Sequence, residues 1–150
     1  MTMKRVAITG AAGNLGGLLA QGMKDMDVSL NLLIHKKDVA DNLKQKENIS
    51  IFNIDLAKEK TLNEALQNVD VVVHFAGVLF KANPEKFLPT TNTQYFKNLL
   101  SVAVKQKVKR IILISFPHVE GETTPQNPAR GTLSGNPDSM HARTRLEEEK

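Results

Sequence analysis

Short apolar runs rich in β-branched residues alternate along the chain with longer stretches whose apolar residues recur every three or four positions. That alternation is the pattern of strands and amphipathic helices taking turns. The runs predict strands at Arg5 to Thr9, Ser29 to Ile34, Ile49 to Ile54, Val71 to Phe75 and Arg110 to Ser115. The first, fourth and fifth are almost continuously apolar, as strands covered on both faces should be. Between them, three apolar helix faces are expected: Leu15, Leu18, Leu19, Gly22 and Met26; Leu62, Ala65 and Leu66; and Phe96, Leu99, Leu100, Ala103 and Val104. Strand and helix in alternation predict an α/β fold built on a parallel sheet.

From Pro117 to Asp138 the pattern stops. Pro117, Pro125, Pro128 and Pro137 share this segment with Gly121, Gly131 and Gly135, which predicts a loop. A run of this length is either functional or disordered, and the sequence leaves both open. Ser139 to Lys150 returns to helix-forming residues, and the chain ends inside that pattern. An apolar side of this helix without partners would favour a homodimer through residues 139–150.

At 150 residues the chain has the length of one domain. Its net charge of +4 makes it mildly basic, yet aromatic residues are 5%, Trp is absent and Tyr95 is the single tyrosine. Without aromatic residues to stack on bases, nucleic acid is not the expected partner, and anionic small molecules fit better. The basic group Lys105, Lys107, Lys109 and Arg110 falls at the end of the third helix, where it complements the negative end of the helix dipole. The lack of cysteine excludes disulfides, thiolate metal sites and a cysteine nucleophile, and makes the cytoplasm the default compartment. Met1 to Arg5 lead straight into a strand rather than a secretory signal, and no apolar stretch approaches the ~20 residues needed to span a bilayer.

The most informative segment is Thr9-Gly10-Ala11-Ala12-Gly13-Asn14-Leu15-Gly16-Gly17, placed after the first strand and opening the first helix. Strand, glycine turn and helix N-terminus together let backbone amides hold a pyrophosphate. Gly10 permits the turn, Gly13 admits the phosphates and Gly16 brings helix close to strand. A P-loop would need Lys and then Ser or Thr after its last glycine, where this chain has Gly17 and Leu18. An NAD binder of this type usually ends its second strand with an acid; here His35-Lys36-Lys37 stand there. Cations attract a 2′-phosphate, so NADP(H) is favoured over the alternative, NAD(H). The plainer reading, a solvated turn with Asp38 capping the next helix, stays open. The strand ends at Asp55, Ala76 and Ser115 face the crevice where open α/β sheets bind ligands.

With these residues in place, the chain resembles the short-chain dehydrogenase/reductase superfamily, in its extended branch of sugar-nucleotide epimerases, dehydratases and related reductases. The resemblance runs through the glycine segment, Asp55-Leu56, His74-Phe75-Ala76-Gly77, Asn92 with Asn98-Leu99-Leu100, Lys109 to Ser115 and Val119-Glu120-Gly121. It implies a Rossmann-like, doubly wound parallel sheet of order 3-2-1-4-5 in three α/β/α layers. It further implies that Gly10, Ala12, Gly13, Asn14, Leu15 and Gly16 hold the pyrophosphate side and that His35 and Lys36 hold a 2′-phosphate. Asp55 and Leu56 would then meet the adenine, and Phe75, Ala76, Gly77, Asn92 and Ser115 would line the cofactor.

The departures lie at the chemistry. The family places a Ser or Thr after the fifth strand, and a Tyr and a Lys four residues apart on the next helix. Here His141 takes the Tyr place and Arg145 the Lys place, while Phe116 stands where the hydroxyl would be and Ser115 comes one residue early. Imidazole, with a pKa near ~6.5, can exchange protons at neutral pH. Arginine stays charged and cannot be tuned as lysine can. His74 and His118 make no metal spacing with His141, so no metal is expected. Relatives continue into a C-terminal substrate region that this chain would lack. Three readings follow: an epimerase/dehydratase-like oxidoreductase acting on a carbonyl or alcohol, an inactive NADP(H)-binding redox sensor or regulatory module, and a degenerate fragment that binds no dinucleotide.

Overall fold

The computed structural model describes residues 4–78 and 82–150; Met1 to Met3, ahead of the first strand, lie outside the described residues. Five strands form one sheet: β1 (Lys4–Thr9), β2 (Val28–Ile34), β3 (Ile49–Asn53), β4 (Val71–His74) and β5 (Arg110–Leu113). All neighbours are parallel and the order is β3-β2-β1-β4-β5. The register sets Ile8 between Leu32 and Val73. The helices are α1 (Asn14–Met23), α2 (Asp41–Lys44), α3 (Glu59–Ala65), α4 (Pro84–Leu88), α5 (Tyr95–Lys105) and α6 (Met140–Glu149), with a π-helical turn at Pro89–Gln94. The fold is Rossmann-like α/β, as the resemblance implies.

The chain divides into two units. The first holds residues 1–76 and 98–114, and with them the whole sheet. Side chains alternate across a strand, so each strand feeds two cores. On one face Val6, Ile8, Leu30 and Leu32 pack with Ala20 of α1 and Leu43 of α2. On the other, the buried Asn31 amide donates to the Ala65 carbonyl of α3 at 2.7 Å, which satisfies a polar group the core would otherwise reject. Lys105 of α5 reaches Glu59 of α3 at 2.8 Å.

Four expectations need correction in this unit. Leu15, Leu18 and Met26 are 57%, 63% and 55% exposed, not core. The buried residues of α1 are Gly16 and Ala20, with Leu19 and Met23 partly covered. The physical cause is close approach: a bare Cα at Gly16 lets α1 settle on the turn, which rotates the leucines outward. On α5, Val102 is buried and Val104 is 76% exposed. As the edge strand, β5 leaves Ile112 42% exposed, so it is not covered on both faces. Asp38 does not cap α2, whose N-cap is Ala40; its carboxylate instead accepts from Val39 N–H and pairs with Lys44.

The basic group at the end of α5 does more than face the dipole. Lys109 pairs with Asp70 at 2.7 Å. Val108 N–H donates to Ala103 and Lys107 N–H to Val104, the two bonds of a Schellman stop, with Lys107 at φ 58° in the left-handed place usually given to glycine.

The second unit holds residues 77–97 and 115–150. Its loop from 117 to 138 is pinned by one carboxylate: Glu120 accepts from the backbone N–H groups of Arg130, Gly131 and Thr132. These N–H groups hold its pKa below the usual glutamate value, the Arg130 bond contributing most. Ser139 caps α6 by accepting from Ala142 N–H at 3.1 Å. The buried residues of α6 are Ala142, Thr144, Arg145, Leu146 and Glu148. The expected unpartnered apolar side is therefore corrected: Ala142 and Leu146 are already buried, and polar groups fill the rest of that face.

Candidate functional site

In the first unit the site grows from the turn between β1 and α1. Gly10 sits at φ 67°, and a Cβ there would meet Ala76 N at 3.1 Å. Gly13 N–H donates to Gly10 carbonyl at 2.8 Å and Gly17 N–H to Gly13 carbonyl at 2.9 Å, which winds the turn into α1. A Cβ on Gly16 would run into the Gly10 carbonyl, its carbon only 2.9 Å away. The N-cap is Gly13, with no side-chain cap, and the first turn carries no acid. The first turn of α1 therefore brings no acid of its own to the N–H groups at its positive end, which suits a phosphate. Ala12 is half-buried, while Asn14 and Leu15 are exposed beside these amides.

The neighbouring strand ends add side chains at the same edge of the sheet. Thr9 Oγ1 accepts from Ala76 N–H at 3.2 Å and is hydrogen-bonded to His74 Nδ1 at 2.7 Å, which fixes the end of β4 and half-buried Phe75 against β1. After β3, Asp55 accepts from Ala57 N–H at 3.0 Å and faces Lys58 at 3.5 Å. These two partners, the N–H first, hold its carboxyl below the usual range. Leu56 carbonyl accepts from Asn98 Nδ2 at 2.8 Å. His35 Nδ1 lies 2.9 Å from Ile54 carbonyl, an acceptor only, so Nδ1 carries the proton. Lys36 is exposed.

A cavity of about 290 Å³ opens beside the turn, walled by Ala12, Asn14, Leu18, Gln21, Asp38 and Val39. Sequence reasoning missed Leu18, Gln21 and Asp38 as its lining. The available signal was the helical spacing of Asn14, Leu18 and Gln21, which puts them on one side of α1.

In the second unit, Asn92 is buried in the π-helical turn. Its side chain accepts from Val78 N–H at 2.9 Å and donates to Val78 carbonyl and to Thr144 Oγ1. The Ser115 hydroxyl donates to the Glu149 carboxylate. His141 stacks edge-on against Phe116, ring centroids 4.5 Å apart, and its buried Nε2 has no partner among the described residues. Burial, and then the Arg145 charge, push its pKa down. Arg145 Nη1 meets Glu148 Oε2 at 2.6 Å, and its guanidinium lies against the Cα of Gly77. Glu148, unnoticed in the sequence, was signalled only by its i, i+3 spacing from Arg145.

Among the described residues no helix is long and apolar enough to cross a membrane. The profile of a family described as NAD(P)H-binding matches residues 10–147. A UDP-N-acetyl-alpha-D-glucosaminuronate decarboxylase of Bacillus cytotoxicus is 30% identical over 134 residues, covering 81% of this chain and 39% of that protein. A uronate dehydrogenase of Pseudomonas syringae pv. tomato is 29% identical, covering 78% and 41%. The crystal structure of uronate dehydrogenase from Agrobacterium tumefaciens superposes with a TM-score of 0.76 at 28% identity, covering 99% of this chain and 54% of that one. A mutant of that enzyme, 27% identical with the same TM-score and coverage, was crystallised with NAD. The chain thus spans about two-fifths of the curated relatives' length. The glycine turn, the parallel sheet and the matched profile agree: the chain belongs to the NAD(P)H-binding family, on the extended short-chain dehydrogenase/reductase side of the Rossmann fold.

Proposed function

We propose that this chain is the cofactor-binding part of an oxidoreductase that holds NADP(H) in preference to NAD(H) and acts on a carbonyl or alcohol carbon of a sugar or sugar nucleotide. The observation that carries the reading is the uncapped start of α1, closed onto the turn by Gly16 and left bare of acids. The residues fit a dinucleotide: the turn from Gly10 to Gly16 for the pyrophosphate, His35 and Lys36 for a 2′-phosphate, Asp55 for the adenine. The bound nicotinamide would supply hydride transfer. The substrate class is drawn from the relatives' names, a uronate dehydrogenase and a UDP-sugar decarboxylase. His141 is the candidate proton carrier, since burial favours its neutral imidazole and leaves Nε2 unpartnered.

A second reading is a dinucleotide-binding module without turnover. What favours it is Arg145: its charge is spent on Glu148 in a buried pair, so the cation at the family's lysine position is already neutralised. Nicotinamide fluorescence and absorbance, followed with NADPH and a panel of uronates and UDP-sugars, separate the readings. Turnover lost in His141→Ala supports the oxidoreductase, and saturable binding without turnover supports the module. No binding contradicts both.

A further inference from the structure

On α6, His141, Arg145 and Glu148 stand at i, i+4 and i+7, which stacks them along one face of the helix. The Arg145 guanidinium is held from two sides. Nη1 meets Glu148 Oε2 at 2.6 Å, and Gly77 makes room for the rest, since a Cβ at residue 77 would lie 2.9 Å from the guanidinium carbon. At each end of the row a buried polar atom has no partner among the described residues: Nε2 of His141 and Oε1 of Glu148. Phe116 covers one side of the imidazole at 4.5 Å, and His118 meets the same phenyl ring at 5.2 Å. Of the elements packed on α6, the π-helical turn has no charged residue, and α4 brings Glu85 and Lys86, both exposed. Among the described residues Arg145 and Glu148 are the buried arginine and the buried acid. Arg145 lies about one turn from His141 and Glu148 about two.

Building on the reading of His141 as the proton carrier, we propose that Glu148 is a positioning residue: it fixes the Arg145 guanidinium, offsets its charge, and so sets how readily His141 binds a proton. Glu148 is removed from His141 by about 10 Å of helical rise, so it acts through Arg145. The pair is a dipole with its positive end toward the imidazole. Arg145 alone would hold His141 neutral more firmly; with the carboxylate in place, the imidazole takes up a proton as well as giving one. Arginine stays charged where a lysine can be tuned, which makes Glu148 the adjustable member of the row.

The test follows the His141 ring protons by NMR as pH is varied, in wild type, Glu148→Gln and Arg145→Met/Glu148→Gln, with His141→Asn identifying the signal. Glutamine keeps the shape and an acceptor for Nη1 and loses the charge. In Glu148→Gln the uncompensated Arg145 is expected to weaken proton binding at His141 by about three- to tenfold, the effect of one unit charge at this separation in a partly buried place. The double variant removes both charges and serves where Glu148→Gln does not fold; it should bind the proton more tightly than wild type. A purely structural role would act in the opposite direction in Glu148→Gln, since looser packing admits water to the imidazole and tightens proton binding. Proton binding that is unchanged or tighter in Glu148→Gln therefore overturns the proposal, as does a double variant that matches wild type. No cofactor or substrate takes part in this titration. Turnover that survives His141→Ala is a separate result, and it overturns the reading of His141 as the proton carrier.

Discussion

Arg145 and Glu148 form a buried ion pair, Nη1 to Oε2 at 2.6 Å, with side chains 5% and 0% exposed. Its second carboxylate oxygen has no partner among the described residues, and burial raises the Glu148 pKa against the pull of Arg145. Removing one partner strands the other charge in the interior. Glu148→Ala, which leaves Arg145 uncompensated and also empties the space the side chain fills, is therefore expected to cost about 3–5 kcal/mol, read as a thermal midpoint lower by on the order of 10 °C. A midpoint within 2 °C of wild type, to the nearest ~2 °C, would mean that the pair contributes little.

His141 predicts a pH signature. Burial and Arg145 lower its folded pKa from 6.5, so the unfolded chain binds the proton more readily. Stability from this group is fully present above pH 6.5 and is lost as pH falls through the folded pKa. Glu148 runs the other way: with its pKa raised from 4.5, it loses stability as pH rises through the folded value. The difference in thermal midpoint between wild type and His141→Asn should grow from pH 5 to pH 7, about two units spanning the imidazole range. A flat difference would place the imidazole in contact with water.

Lys107 occupies the left-handed position of the α5 stop at φ 58°. Lys107→Gly removes the Cβ strain there and should stabilise the protein by about 0.5–1 kcal/mol, since both Schellman bonds are backbone bonds that glycine keeps. Chemical denaturation would register this as a higher midpoint at unchanged slope. A lower midpoint would show that the lysine side chain itself holds the stop.

Gly16→Val places a branched side chain against the Gly10 carbonyl. It should push α1 off the turn and weaken dinucleotide binding by more than about tenfold, because the helix amides lose their aim. Circular dichroism separates this from unfolding, and wild-type affinity in a folded Gly16→Val protein would contradict the geometry.

The strands were legible because buried parallel strands need unbroken apolar runs, and Val71 to His74 can hardly be anything else. The glycine turn was legible because its spacing carries its mechanism. The side of α1 that packs was not: Leu15 and Leu18 outscore Gly16 and Ala20 in hydrophobicity, yet helix and turn approach closely only through small residues. Glu120 joins groups ten to twelve positions away through their backbone N–H, which no side-chain pattern announces. Arg145 and Glu148 have the spacing of any solvated helix pair, and only tertiary packing turned that spacing into a buried bond.

The most direct test of the central claim is calorimetric titration of the purified chain with NADPH and NADH, repeated on a His35→Ala/Lys36→Ala variant. Binding of both cofactors, NADPH the tighter, with that advantage lost in the variant, is the predicted result. Binding of neither by the folded protein would contradict it, and the glycine turn would then be a structural feature alone.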